Sequence, residues 1–278
     1  MSYAWSGEES NLITRTLTIT SGKGGVGKTT LVCNLALQLG RQGSRVLILD
    51  GDLGMANVDL MFGKRAKFTL FDVLEGRASM NEVVMEVAPN VDLIPSGSGV
   101  RELTRLADHQ RRFLMDEVGS LPNHYDYLIV DTAPGIDDNV LYLNSAAQEI
   151  NVVVTPDPAS ITDAYALIKV MNKYYKESKF SIIANMVRDE QEALSIFRGL
   201  SDVASEFLCV SLDFKGFVPN DQYLRSATKS QQLVLRTSGN SPSGQALVSL
   251  ADKLSAFKGM EDLKGNVQFF WSQFFGVA

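Results

Sequence analysis

Ser21-Gly22-Lys23-Gly24-Gly25-Val26-Gly27-Lys28-Thr29-Thr30 decides how the rest of the chain is read. Lys28 and Thr29 fit the last positions of G-x-x-x-x-G-K-[ST]. In that turn backbone N–H groups surround a polyphosphate, the lysine neutralises its oxygens and the hydroxyl ligates Mg²⁺. An apolar run at 17–20 precedes the turn and an amphipathic stretch at 29–42 follows it. Strand, glycine turn and helix in that order put the loop at a helix N-terminus, whose partial positive charge favours an anion. Glycines alone would also suit a surface turn; the Lys-Thr-Thr continuation favours a nucleotide, with Gly24, Gly25, Val26, Gly27, Lys28, Thr29 and Thr30 as its cradle. Lys23 is surplus to that purpose.

Outward from the loop, short apolar runs at 45–49, 91–94, 127–130, 150–155, 180–185 and 214–218 read as further strands. Amphipathic stretches at 108–121, 138–147, 162–176, 189–207 and 243–257 read as helices, several opened by Asp or Ser as N-caps. This alternation predicts an α/β fold of the P-loop NTPase kind, a mostly parallel twisted sheet with helices on both faces. Ligands of such sheets sit beyond the carboxyl ends of the strands. Two strands end there in aspartate, at Leu49-Asp50-Gly51-Asp52 and at Val130-Asp131-Thr132-Ala133-Pro134-Gly135. Asp131 is the expected Mg²⁺ partner, through water, because Mg²⁺ keeps much of its hydration shell. Asp50 and Asp52, two apart, would face the same way in extended chain. One would support the metal and the other position the attacking water, unless one of them caps the following turn.

Composition narrows the function classes. The 278 residues are 45% hydrophobic, enough for one large domain with a full core. The net charge of −6 and pI of about 5.1 speak against a surface built to grip nucleic acid. Cys33 and Cys209 form no C-x-x-C and read as core residues in a reduced compartment, and two histidines make histidine-rich metal chemistry unexpected. Residues 1–11 lack a basic n-region and apolar core, and no run reaches the ~18 apolar residues of a membrane span. The expected location is cytoplasmic. The boundaries read as a short flexible N-terminus at 1–14, an ATPase domain at 15–258, and a linker with an amphipathic helix at 259–278.

The stretch Lys23–Thr30 resembles the deviant Walker A box of the MinD/ParA class of P-loop ATPases. Within that class, the segments beginning at Asp50, Thr69, Ser160 and Ala184 (Asp-Gly-Asp-Leu-Gly-Met-Ala-Asn-Val-Asp, Thr-Leu-Phe-Asp-Val-Leu-Glu-Gly, Ser-Ile-Thr-Asp-Ala-Tyr-Ala-Leu-Ile-Lys and Ala-Asn-Met) are similar to the FlhG/FleN family of flagellar regulators. The resemblance implies ATP/ADP and Mg²⁺ as cofactors, slow dimer-dependent hydrolysis, and a Lys23 that reaches the phosphates of a partner copy. It assigns water activation to Asp52, the second switch to Asp131 and adenine reading to Asn185. Arg188 is expected to stack on the base, Pro219 and Asp221 to belong to the loop closing over it, and Asp157 to approach ribose across the dimer. Implied partners are an FlhF-like GTPase, flagellar switch or C-ring proteins and a flagellar transcription activator, with no specific nucleic acid. Pro134 replaces an alanine common in the second switch. The D-Q-A-x-x-L-R segment that some members use to stimulate FlhF is not found, which leaves that activity open.

In the last stretch, Leu263, Val267, Phe270, Trp271, Phe274 and Phe275 recur at helical spacing. Each large aromatic buried contributes ~1.5–3 kcal/mol, so this face can hold a helix at a bilayer interface. Two such helices on a dimer would add avidity. The alternative is packing of the same face on its own domain. The expected function is therefore an ATP-dependent dimerisation switch for flagellar number or placement, peripheral to the inner face of the cell membrane and at the pole. A MinD-type division-site regulator, a ParA-type partitioning ATPase or a biosynthetic ligase or amidase on the same scaffold stand as alternatives.

Overall fold

The computed structural model describes residues 14–99 and 101–256. Its strands are β1 (Arg15–Thr20), β2 (Val46–Gly51), β3 (Met85–Ala88), β4 (Val91–Ile94), β5 (Tyr127–Thr132), β6 (Glu149–Val154), β7 (Lys179–Val187) and β8 (Ser211–Pro219). They form one sheet in the order β3-β4-β2-β5-β1-β6-β7-β8. Every pairing is parallel except β3 with β4. The predicted sheet is thus observed, with β1 and its glycine loop near the middle.

The interior strands are buried on both faces, which is why they read as unbroken apolar runs; all six residues of β5 are buried. Alternate residues divide between two faces. Val46 and Ile48 face a core completed by α1 (Lys28–Arg41) and α11 (Pro242–Ala256), to which Leu31, Leu35, Leu39, Leu247 and Leu250 contribute. Leu47 and Leu49 face α3 (Leu70–Leu74), α4 (Met80–Val83) and α5 (Asp108–Gly119). Farther along that second face, α7 (Pro158–Tyr175) and α8 (Glu190–Phe207) cover β6 and β7, with α6 (Asp138–Ala146) between the two groups.

Periodicity did not announce the short pieces: β3, α2 (Val58–Met61), α3, α4, α9 (Gln222–Lys229) and α10 (Val234–Thr237). Most of these have only four or five residues, too few to show a period, and α9 has eight; α3 and α4 instead carry capping boxes, Thr69 with Asp72 and Ser79 with Glu82. Helix α7 begins four residues earlier than the spacing predicted, because Asp157 caps it and Pro158 fits the first turn. Cys33 is buried as expected, whereas Cys209 is exposed. It lies in the connection between α8 and β8, within the short apolar stretch Phe207-Leu208-Cys209-Val210 but outside both elements. The expected aromatic helix, with Leu263, Val267, Phe270, Trp271, Phe274 and Phe275, lies outside the described residues. Among those described, no helix is long and apolar enough to cross a membrane.

Candidate nucleotide-binding site

Glycine is required where the loop turns. Gly25 and Gly27 have φ of 77° and 93°, the left-handed region, and Gly27 caps α1. A Cβ on Gly27 would also stand 2.5 Å from the Asn185 amide nitrogen. The loop is braced from the turn after β5: Gly135 N–H donates to the Ser21 carbonyl at 2.9 Å, and the Pro134 ring lies 3.7 Å from where a Gly24 Cβ would be. Lys28 is buried at the start of α1 and donates to Ser21 Oγ at 2.9 Å. Burial lowers its pKa, and the nearby Asp131 and Asp52 carboxylates oppose that shift. Ser21 was not singled out in the sequence, although its place directly before the loop is the signal that would have found it.

Register brings the acids together. Asp50 of β2 lies opposite Asp131 of β5, and Ile19 of β1 flanks Asp131 on the other side. Burial raises the Asp131 pKa to about 7, against the Thr29 hydrogen bond and the Lys28 charge that lower it. Its Oδ1 is buried with no hydrogen-bond partner among the described residues. A buried carboxylate oxygen left open beside a threonine hydroxyl suits a hydrated Mg²⁺, so Thr29 and Asp131 fit the metal role.

Asp50 sits differently. Its Oδ1 accepts the Asp52 N–H at 3.2 Å, and its Oδ2 accepts those of Asn57 and Val58 at 3.1 and 3.2 Å. Burial and the facing Asp131 push its pKa well up. The carboxylate holds the turn after β2, as the capping alternative anticipates. Strand β2 ends at Gly51, so Asp52 has left extended chain and the two-residue alternation no longer ties it to Asp50. Its Oδ1 accepts the Met55 N–H at 3.1 Å, at the partly buried edge of the site.

The base side is engaged in internal bonds. Asn185 Nδ2 donates to the Val26 carbonyl at 2.7 Å, which joins the end of β7 to the glycine loop, and its Oδ1 accepts the Met186 N–H at 2.9 Å. Arg188, expected on the base, forms an ion pair with Glu192 at 2.9 Å and is 80% exposed. Asp221 is buried: its Oδ1 accepts the Tyr223 N–H at 2.9 Å, and its Oδ2 accepts Ser243 N–H and Oγ–H at 3.0 and 2.6 Å. Burial would raise its pKa, but the Ser243 and Tyr223 hydrogen bonds hold it low. Pro219 closes β8 opposite Val187, and the next N–H, of Asn220, donates to the Val187 carbonyl at 2.7 Å. Asp157 accepts the Ala159 N–H as the cap of α7 and forms an ion pair with Lys23, whose hydrogen bond lowers its pKa. The surplus lysine is therefore held within its own chain.

A family model described as an AAA domain matches residues 14–183. The chain is 39% identical over 254 residues to the antiactivator FleN of Pseudomonas aeruginosa, covering 91% of each. It is 34% identical over 244 residues to the flagellum site-determining protein YlxH of Helicobacter pylori, covering 87% of this chain and 82% of that one. Among solved structures, the septum site-determining protein MinD of Pyrococcus horikoshii, complexed with Mg-ADP, superposes with a TM-score of 0.73 at 26% identity, over 91% of this chain and 100% of that one.

Proposed function

The chain belongs to the MinD/ParA class of P-loop ATPases, in its FleN/FlhG branch, and from that membership we propose that ATP hydrolysis here times the pairing of two copies. The single observation that carries the reading is the meeting of Lys28, Thr29, Asp131 and Asp52 at the N-terminus of α1, with Asp131 Oδ1 open. Lys28 and the loop N–H groups neutralise the β/γ oxygens, and the α1 N-terminus adds its dipole. Mg²⁺, held through Thr29 and Asp131, supplies further charge neutralisation when bound. Asp52, at the rim, takes the role of orienting the attacking water. Asp50 keeps the turn that presents Asp52.

Lys23 gives this site its link to assembly. Its ion pair with Asp157 is half exposed, so it exchanges at little cost. A partner copy's triphosphate offers Lys23 more negative charge than one carboxylate, and pairing then releases Asp157 toward the interface. The aromatic segment at 259–278 is proposed to hold the pair at the inner membrane surface, where avidity couples residence to ATP. In keeping with the relatives' names, the output is flagellar number or placement, through an FlhF-like GTPase, switch or C-ring proteins and a transcription activator.

The test is Asp52→Ala. ATP affinity by calorimetry should stay within about threefold of wild type, because Lys28 and Thr29 are untouched. Phosphate release should stop, and a dimer should persist on size exclusion with Mg-ATP. Unaltered turnover would remove Asp52 from its role.

A further inference from the structure

Strand β1 carries a polarity that its place in the sheet does not call for. Leu17 and Ile19 face the core shared with α1 and α11, whereas Thr16, Thr18 and Thr20 alternate onto the other face, each fully buried. A buried hydroxyl costs stability unless it is hydrogen-bonded. Two of the three are satisfied by backbone where β6 begins: Thr16 Oγ1 accepts the Gln148 N–H at 3.0 Å, and Thr18 Oγ1 donates to the Glu149 carbonyl at 3.4 Å. Thr20 is engaged by side chains instead. Its Oγ1 accepts Thr132 Oγ1–H at 2.9 Å, from the last residue of β5, and Asn144 Nδ2–H at 3.1 Å, from α6. Asn144 is itself fully buried, and its Oδ1 has no hydrogen-bond partner among the described residues. An orphaned buried oxygen is destabilising, so packing alone does not account for an asparagine here.

We infer that Asn144 is a positioning residue for the metal-binding carboxylate of Asp131, acting through Thr20 and Thr132, an inference that rests on the ATP reading above. Asp131 directly precedes Thr132, and register sets Asp131 beside Ile19, the residue before Thr20. Consecutive strand residues point to opposite faces. The carboxylate therefore meets Thr29 on one face, while the two threonine hydroxyls meet Asn144 on the other. The amide thereby ties α6 to the tips of β1 and β5, where the glycine loop starts and the carboxylate is presented. Lys28 and the loop are held from α1 and from Gly135 as well. A shift of the β5 tip accordingly moves Asp131 relative to Thr29 before it disturbs the phosphate cradle. Outer partners that orient a ligating carboxylate commonly set metal affinity.

The experiment measures ATP binding by calorimetry, with Mg²⁺ and with EDTA in its place, for the full chain and for Asn144→Ala, Thr132→Val and Thr132→Ser. Loss of one buried hydrogen bond should weaken Mg-ATP binding about 2- to 12-fold in Asn144→Ala and Thr132→Val and leave metal-free ATP binding as in wild type. Thr132→Ser, which keeps the hydroxyl, should stay near wild type. In a Thr20→Val background Asn144→Ala should change nothing further, because the bond it breaks is already gone. Alanine suits a helix interior and removes the orphaned oxygen with the amide, so Asn144→Ala should melt close to wild type. Equal losses with and without metal would overturn the inference. So would a full additional loss in the Thr20→Val background, or a large fall in melting temperature, either of which would assign Asn144 to packing. A wild-type chain that bound ATP no better with Mg²⁺ than with EDTA would overturn the metal reading itself; a metal gain kept intact in Asn144→Ala would overturn only the positioning role.

Discussion

The phosphate side and the base side of this site are built in opposite ways. At the phosphate side the groups are poised: Lys28 is buried among acids, and Asp131 Oδ1 lacks a partner. At the base side, Asn185, Arg188 and Asp221 all have partners within the chain. One half is organised around charge that a ligand must balance. The other is organised around keeping strand ends, loop and helices together.

The sharpest way to break this contrast is Lys28→Ala. It removes the only buried lysine among the described residues and leaves Asp131 and Asp52 facing phosphate with less compensation. ATP affinity should fall about 100-fold or more, on the order of 3 kcal/mol, by calorimetry. A loss below threefold would show that the loop N–H groups suffice.

A middle-sized effect concerns pH. Burial raises the folded Asp131 pKa to about 7, above the ordinary aspartate value of 3.8, so between those values the folded protein binds more protons than the unfolded chain. Its contribution to the stability of the ligand-free protein is present at low pH and is lost as pH rises through about 7, with a slope of about 1 kcal/mol per pH unit. Thermal melts from pH 5 to 8 should show that decline, and Asp131→Asn should lessen it, with Asp50 supplying what remains. Mg-ATP binding should strengthen over the same range, because the metal requires the carboxylate. An unchanged slope in the variant would contradict the assignment.

The smallest effect belongs to the base side. Arg188→Ala breaks an exposed ion pair, which contributes less than ~1 kcal/mol, and should leave ATP affinity within twofold. A tenfold loss would restore Arg188 as a base contact and erase the contrast.

These halves also differed in how far the sequence disclosed them. The glycine loop is local: ten consecutive residues carry its spacing, and β1 and α1 flank it as predicted. The strands were visible because burial on both faces leaves continuous apolar runs. The base side depends on pairs far apart in the chain: Asn185 with Val26, Asp221 with Ser243, Lys23 with Asp157. No spacing records such pairs. Residue type singled out Asn185, Asp221, Lys23 and Asp157 and left their partners within the chain unread. Met186 stands in the Ala-Asn-Met segment that carries part of the family resemblance, yet methionine does not advertise a left-handed backbone as glycine or asparagine would.

One carboxylate also works as a joint. Asp221 accepts the Tyr223 N–H in the first turn of α9 through one oxygen and holds the beginning of α11 at Ser243 through the other. At its far end α11 receives Arg15, which pairs with Glu149 at the start of β6 and bonds the Leu254 carbonyl. The helix is thus pinned at both ends, to the nucleotide edge and to the opposite edge of the sheet. Any tilt of the Asp221 turn must either carry α11 with it or break the Ser243 bonds, at a cost of roughly 1–3 kcal/mol. Motion of that turn would therefore reach the far end of α11 as the movement of one helix hinged on a single side chain.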